Sequence, residues 1–319
     1  MTTPTPSATS PPDLLPSRTH LDRYGFLFGN PISHSLSPLF HNTIYHSLGL
    51  KWQQFLLESA SLPDCQQYLQ DPAFYGAAVT MPHKIAIMSQ LDELTEEAKA
   101  CGACNTIFLR ERDGKRVLCG TNTDVVGVRE AFLQNVKDGE TRYEGRPGMV
   151  VGGGGAARAA VYALWRYLGA EKIYLVNRDV KEVEVLVEWC TKQGYGEGLV
   201  HVKTVEEAEG LESVGAIVAC VPDLVPNTAE EKMARGILEH FLAREHKGAI
   251  LEMAYHPKPW TSVAQLSTDA GWQVILGTEA MIYQGFEQDR YWTGKGLEDL
   301  PVEKVKKTIA EELEKSIKH

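Results

Sequence analysis

Met149-Val150-Val151-Gly152-Gly153-Gly154-Gly155-Ala156-Ala157-Arg158 is the stretch on which the reading of this 319-residue chain turns. An apolar run ends at Val151, four glycines follow, and a helix-forming stretch from Ala156 to Leu168 begins at once. That order is strand, tight turn, helix. Gly152-x-Gly154-x-x-Ala157 fits the dinucleotide fingerprint with alanine in its last position. A turn without side chains lets a pyrophosphate approach the backbone. The amide groups and dipole at the helix start then favour its negative charge. Gly152, Gly153, Gly154, Gly155 and Ala156 are therefore the candidate phosphate cradle. Four adjacent glycines also suit a plain flexible turn. The strand from Lys172 to Asn177, at βαβ distance and with Asp179 just beyond it, favours the nucleotide reading.

The remaining composition narrows the class. Hydrophobic content of 43% with 8% aromatics describes a globular protein with a sizeable core. A net charge of -10 argues against nucleic acid or an anionic membrane as partner, since both call for a basic face. No window approaches the ~18 uninterrupted apolar residues of a membrane-spanning helix. Met1 to Pro16 is rich in Ser, Thr and Pro, with no basic start and no apolar core. It reads as a disordered tail, extending to residue 20, and not as a secretory signal. A cytoplasmic monomer or homodimer is expected. The six cysteines are scattered, as free thiols in a reducing compartment would be. Cys101 and Cys104 have redox or zinc spacing, but no second close Cys/His pair accompanies them, and no metal is expected.

Strands alternate with helical patterns almost throughout, which predicts parallel α/β architecture. In the first part the pattern predicts strands at 24–28, 52–58, 77–80, 105–109 and 117–120, with Asp113-Gly114 turning the last two into a hairpin. Helices are predicted over 38–48, 63–70, 83–90, 92–100 and 125–136. From Met149 onward six strands, at 149–151, 173–176, 199–202, 216–221, 249–253 and 273–276, follow the order of a doubly wound nucleotide-binding sheet. Helices at 279–292 and 301–318 have no strand left to pair with and should return to the first domain. The expected organisation is a substrate domain of residues 21–124 plus 278–319 and a Rossmann-like domain of residues 125–277.

Several polar residues sit where strands end. Ser37 before Pro38 is an ordinary helix cap, yet capping leaves Ser35 unused, and two hydroxyls beside a helix start also suit a ligand carboxylate. Lys84 falls in the first turn of the predicted helix 83–90, where the dipole disfavours a cation. A local rule broken at the end of a strand points to function. Asp124 opens the helix that links the two domains, either as its cap or as a carboxylate facing a cleft. Thr80, Asn105, Tyr255 and Gln284 are polar residues at strand ends or inside apolar stretches.

Together these segments resemble the shikimate/quinate dehydrogenase family over nearly the whole chain after residue 23. The resemblance rests on His34-Ser35-Leu36-Ser37-Pro38, Val79-Thr80-Met81-Pro82-His83-Lys84, Gly102-Ala103-Cys104-Asn105-Thr106 and Asn122-Thr123-Asp124 with Gly127. It also includes the turn at 152–159 and Gln284 followed by Trp292-Thr293-Gly294. The resemblance implies two domains and a reversible, nicotinamide-dependent oxidation of a ring hydroxyl on a polyhydroxylated cyclic carboxylate. It implies Ser35 and Ser37 as carboxylate holders with Tyr255 nearby. Thr80, Asn105, Asp124 and Gln284 would contact ring hydroxyls, and Lys84 and Asp124 would form the catalytic pair. Neutral Lys84 can accept the hydroxyl proton, and its ammonium form can stabilise a developing alkoxide.

Two departures matter. Relatives that use NADP follow the second nucleotide strand with Asn-Arg-Thr and a further Arg. Here the run is Asn177-Arg178-Asp179-Val180-Lys181-Glu182. Two carboxylates repel a 2′-phosphate, whereas a free ribose hydroxyl can donate to Asp179. Arg178 and Lys181 blunt that argument. The second departure is Ala219-Cys220-Val221-Pro222, where many bacterial members carry Asn-Ala-Thr. The expectation is an NAD-preferring quinate dehydrogenase that also accepts shikimate, with NADP possible. An NADP-dependent shikimate dehydrogenase and a catalytically silent metabolite-binding regulator are the alternatives.

Overall fold

The alternation resolves into two separate six-stranded sheets in the computed structural model, which describes residues 13–256 and 258–317. The first sheet is built from β1 (Arg23–Gly29), β2 (Trp52–Glu58), β3 (Phe74–Val79), β4 (Glu93–Leu94), β5 (Thr106–Arg112) and β6 (Lys115–Thr121). The helices α1 (Ser37–Ser47), α2 (Leu62–Leu69) and α3 (Glu96–Cys101) are interleaved with them. The strand order is β2-β1-β3-β5-β6-β4. β1 runs parallel to β2 and β3, but β5 is antiparallel to both β3 and β6, so this sheet is mixed. The hairpin is where Asp113-Gly114 placed it. Both residues have positive φ, 51° and 70°, as a tight two-residue turn between twisted strands requires.

The second sheet follows α4 (Asp124–Asn135) and the short α5 (Gly139–Arg142). It contains β7 (Gly148–Val151), α6 (Gly155–Tyr167), β8 (Ile173–Val176), α7 (Val180–Lys192), β9 (Leu199–His201) and the short α8 (Val205–Glu209). Then come β10 (Ala216–Ala219), α9 (Ala229–Ala243), β11 (Ala249–Glu252), α10 (Ser262–Asp269) and β12 (Gln273–Leu276). All its pairings are parallel, in the order β12-β11-β10-β7-β8-β9, the doubly wound arrangement. β7, β8, β10 and β11 are buried along their whole length, as strands covered on both faces must be.

The last two helices, α11 (Gly277–Thr293) and α12 (Val302–Ile317), do return to the first sheet. Ile282, Phe286, Trp292, Val305 and Ile309 share one apolar cluster with Phe40, Ile44, Tyr75 and Phe108. Phe286 meets the Phe40 ring with centroids 5.0 Å apart, and the Trp292 indole donates to the Ile107 carbonyl at 2.9 Å.

Three expectations change. The helix predicted over 83–90 is only a 3-10 turn at Ala86–Gln90. The Lys84 carbonyl accepts from the Cys104 amide at 2.7 Å, so it is taken from the helical ladder by a tertiary contact. Lys84 therefore does not oppose a helix dipole. The helix predicted over 92–100 begins only at Glu96, capped by Thr95, because Glu93–Leu94 pairs with β6. The tail predicted through residue 20 is ordered from Asp13 onward. Leu15 is buried among Tyr24, Phe26 and Tyr68, Asp13 pairs with Arg18 at 3.0 Å, and the Tyr68 hydroxyl donates to Asp13. One buried leucine and one ion pair do not register in a composition dominated by Ser, Thr and Pro. Residues 1–12 lie outside the described residues.

Candidate active site

Strand direction gathers the candidate residues at one edge of the first sheet. β1 and β3 run toward that edge, β5 starts there, and β6 ends there, since Ala78 pairs with Thr106 and Thr106 with Thr121. Ser35 and Ser37 follow β1, Thr80 and Lys84 follow β3, Asn105 precedes β5, and Asp124 follows β6. Residues separated by up to 249 positions, from Ser35 to Gln284, thus share one rim.

Lys84 Nζ lies 2.5 Å from Asp124 Oδ2, with side chains only 16% and 10% exposed. The other carboxylate oxygen, Oδ1, accepts from Asn105 Nδ2 at 2.9 Å. Asp124 stands at the first position of α4 and makes no cap, and each of its carboxylate oxygens has a partner, Lys84 or Asn105. Asn105 is itself fixed by Thr123 and Thr106, whose amide and hydroxyl donate to its Oδ1, each at 2.7 Å. Gln284 joins from α11, accepting from the Thr123 hydroxyl at 3.1 Å. Thr123 and Thr106 were invisible as site residues, because a buried threonine has no sequence signature apart from its neighbours.

Ser37 is the first residue of α1, and Leu36 occupies the cap position without a side-chain bond. The capping account of Ser37 is therefore set aside. The Ser37 hydroxyl oxygen accepts from Gln54 Nε2 at 2.9 Å, and the Ser35 hydroxyl oxygen accepts from the Ser37 amide at 3.2 Å. Neither hydroxyl donates to protein among the described residues, so two O–H donors remain for an acceptor in the cleft. Thr80 likewise keeps its hydroxyl without a protein partner among the described residues. The loop after β11 reaches this side, where His256 stacks on His34 with centroids 4.0 Å apart. Tyr255 is on that loop. Its phenol is pushed above the usual range by burial and, secondarily, by the Asp124 charge.

The glycine turn meets this rim. A Cβ on Gly155 would lie 3.0 Å from Lys84 Cβ, so the turn and Lys84 are in direct contact. Gly152 has φ of +130°, a conformation that side chains rarely adopt, and its α-carbon faces Cys220. The first turn of α6 carries neither a capping side chain nor an acidic residue, leaving its amides available to an anion. This cradle fits a dinucleotide pyrophosphate. At the end of β8, Asn177 donates to Glu182 at 2.7 Å, and Asp179 caps α7 by accepting from the Lys181 amide at 2.9 Å. Arg178 is paired with Glu231 at 2.5 Å. Glu231 is itself locked by the Asn227 and Thr228 amides in the capping box of α9, which with Arg178 hold its carboxyl down at about 2. In sequence Glu231 is legible only as the last residue of the capping box Thr228-x-x-Glu231, which gives no hint of its bond to Arg178.

Cys101 and Cys104 are free and buried, and burial pushes both thiols above their ordinary range. No cluster of three metal-binding side chains occurs among the described residues. No described helix is long and apolar enough to cross a membrane.

Residues 27–107 match the shikimate dehydrogenase substrate binding domain. Quinate dehydrogenase of Emericella nidulans is 46% identical over 312 residues, covering 92% of this chain and 95% of that protein. The pentafunctional AROM polypeptide of Saccharomyces cerevisiae is 39% identical over 84% of this chain, which spans only 17% of that polypeptide. Among solved structures, the dehydroquinate dehydratase and shikimate dehydrogenase from S. pombe AroM superposes with a TM-score of 0.71 at 32% identity, over 90% of this chain and 53% of that one. Quinate dehydrogenase from Corynebacterium glutamicum in complex with NAD has a TM-score of 0.73 over 91% of this chain and 99% of that one; at 21% identity it shares the fold. With these relatives beside a Lys–Asp pair against a glycine cradle, the chain belongs to the shikimate/quinate dehydrogenase family, whose members act on a CH–OH group.

Proposed function

We propose that the chain is an NAD-preferring quinate dehydrogenase that also accepts shikimate, with Lys84 and Asp124 as its catalytic pair. The observation that carries this reading is the Lys84–Asp124 contact at 2.5 Å, set directly against the glycine turn. It supports an active enzyme over a silent regulator. The likeness to the Emericella quinate dehydrogenase supports the substrate class.

In this reading Ser35 and Ser37 donate their two free hydroxyl protons to the substrate carboxylate, with Tyr255 at the rim. Thr80, Asn105 and Gln284 orient the ring hydroxyls. Lys84 in its neutral form takes the proton of the reacting hydroxyl, and as an ammonium it stabilises the alkoxide. Asp124 holds Lys84 through one oxygen while Asn105 fixes the other, so the pair keeps its geometry as charge develops. Gly152 to Ala156 would hold the pyrophosphate, and Asn177, Arg178 and Asp179 would meet the adenosine ribose. The nicotinamide cofactor, when bound, supplies the hydride acceptor. The preference for NAD is supported by the carboxylates of Asp179 and Glu182 just past β8, which would repel a 2′-phosphate, and by Glu231, which already neutralises Arg178.

Initial rates with quinate and shikimate, each with NAD and NADP, test the assignment. The quinate–NAD combination should give the highest specificity constant at pH about 9, where proton release favours oxidation. No quinate oxidation beside good shikimate turnover would overturn the substrate. Lys84→Ala should lower turnover roughly 10²–10⁴-fold with cofactor binding retained. Near-normal turnover in that variant removes the mechanism.

A further inference from the structure

Behind Ser37 lies a row of buried polar groups that the reaction does not use. Gln54, in β2, is 1% exposed. Its Nε2 donates to Ser37 Oγ at 2.9 Å, and its Oε1 accepts from the Tyr75 hydroxyl at 3.1 Å. Tyr75 in turn accepts from the Tyr45 hydroxyl at 2.8 Å. The Gln54 backbone is clamped to α1 by Asn42, which accepts from its amide at 2.8 Å and donates to its carbonyl at 3.1 Å. Gln54 and Ser37 are thus fixed to the same helix.

A serine hydroxyl has one proton, and its direction follows from what the oxygen already accepts. A donor behind Ser37 fills the rear of Oγ, so the proton points away from it. An acceptor there would draw the proton inward and present lone pairs to the cleft, which repel a carboxylate. Tyr75 decides which end of the Gln54 amide faces Ser37, because a phenol donating to Oε1 turns Nε2 toward Oγ. Burial raises the pKa of both phenols well above 10, so the row keeps its protons at the alkaline pH of an oxidation assay.

We propose that Gln54 is a positioning residue for substrate recognition: it donates to Ser37 from behind and directs the Ser37 hydroxyl proton into the cleft. The proposal rests on the reading of Ser37 as a carboxylate holder. Tyr75 and Tyr45 set the orientation of Gln54, and none of the three touches substrate.

The test is steady-state kinetics on the full chain with quinate and shikimate, using Gln54→Leu, Ser37→Ala, the double variant and Gln54→Glu. Gln54→Leu should raise the substrate KM about 3- to 10-fold, the range of one neutral hydrogen bond, with kcat within about twofold and the KM for NAD unchanged. The double variant should be no worse than Ser37→Ala alone, because the two residues act through one bond. Gln54→Glu keeps an acceptor for Tyr75 but places a second acceptor behind Ser37, so its KM should exceed that of Gln54→Leu. Fully additive effects in the double variant, or an equal fall in kcat and cofactor affinity, would overturn the proposal by showing a merely structural role. Should Gln54→Leu not fold, the isosteric Gln54→Glu decides, and a normal substrate KM there overturns it. An unchanged KM in Ser37→Ala alone would remove the carboxylate assignment itself, a failure visible before Gln54 is touched.

Discussion

Replacing Gly155 with alanine should damage turnover without damaging the fold. The added methyl would stand 3.0 Å from Lys84 Cβ and 3.1 Å from its Cδ, where ordinary contacts begin at 3.4 Å. Something must yield by about 0.4 Å (3.4 less 3.0). The glycine turn is anchored, since the Gly152 amide donates to the Val176 carbonyl at 2.8 Å and α6 follows immediately. The Lys84 side chain is the softer partner. Its Nζ lies beyond the contact point, so the displacement reaches the 2.5 Å bond to Asp124. A misplacement of about 1 Å at a reacting group costs about 10²-fold, so a shift of half that size should lower kcat about tenfold, near 1.4 kcal/mol of barrier. The methyl points at Lys84, so the KM for NAD should change by less than about threefold. Saturating kinetics with a thermal melt of each protein read both quantities. An unaltered kcat would refute the coupling between the turn and Lys84. A loss confined to the KM for NAD would show that the methyl meets the cofactor instead.

Three further outcomes follow from the same geometry. Glu231→Gln keeps a capping side chain on α9 but frees Arg178, so the NADP-to-NAD ratio of specificity constants should rise about tenfold; an unaltered ratio would show that Arg178 does not meet a 2′-phosphate. Glu252, buried with one oxygen unpartnered, has its carboxyl raised to about 8 by burial. The fold keeps that proton while the unfolded chain loses it above its ordinary pKa of 4.5, so stability from this group should fall between pH 4.5 and about 8 by up to ~1.4 kcal/mol per unit, then level off. Glu252→Gln should remove that slope from denaturation midpoints measured across the range, and a slope unchanged in the variant would refute it. Removal of residues 1–16 takes away buried Leu15 and should cost about 1.5–3 kcal/mol relative to removal of residues 1–12, as read by urea denaturation; equal midpoints would show that Leu15 adds nothing.

Much of the architecture was legible because it is local. Parallel strands covered on both faces are short apolar runs, and β8 falls at the residues where its run lies. The hairpin was legible from Asp113-Gly114, since few dipeptides tolerate two positive φ angles. What escaped the sequence was decided by tertiary partners. The Lys84 segment reads as a helix until Cys104 takes its carbonyl, and the hairpin signal alone does not say that β5 is the strand that runs against β3. The candidate side chains at strand ends were legible as polar residues in odd places, and the structure brings Lys84, Asp124, Asn105 and Gln284 into one network. Their supports were not legible. Thr123 and Gln54 matter through buried hydrogen bonds to residues that only the fold brings near, and periodicity carries no trace of such bonds.

The return of α11 and α12 to the first sheet also orders events during synthesis. The second sheet draws its strands from one continuous stretch, residues 148–276, and can condense as soon as that stretch is made. The first sheet cannot. One of its faces is covered by Ile282, Phe286, Trp292, Val305 and Ile309, which are made more than 150 residues after β6 ends at Thr121. Until then Phe40, Tyr75 and Phe108 have no cover from those side chains, and the nascent first half presents an apolar face to its surroundings. Closing so long a loop is slow, so this half should mature last and depend most on chaperones.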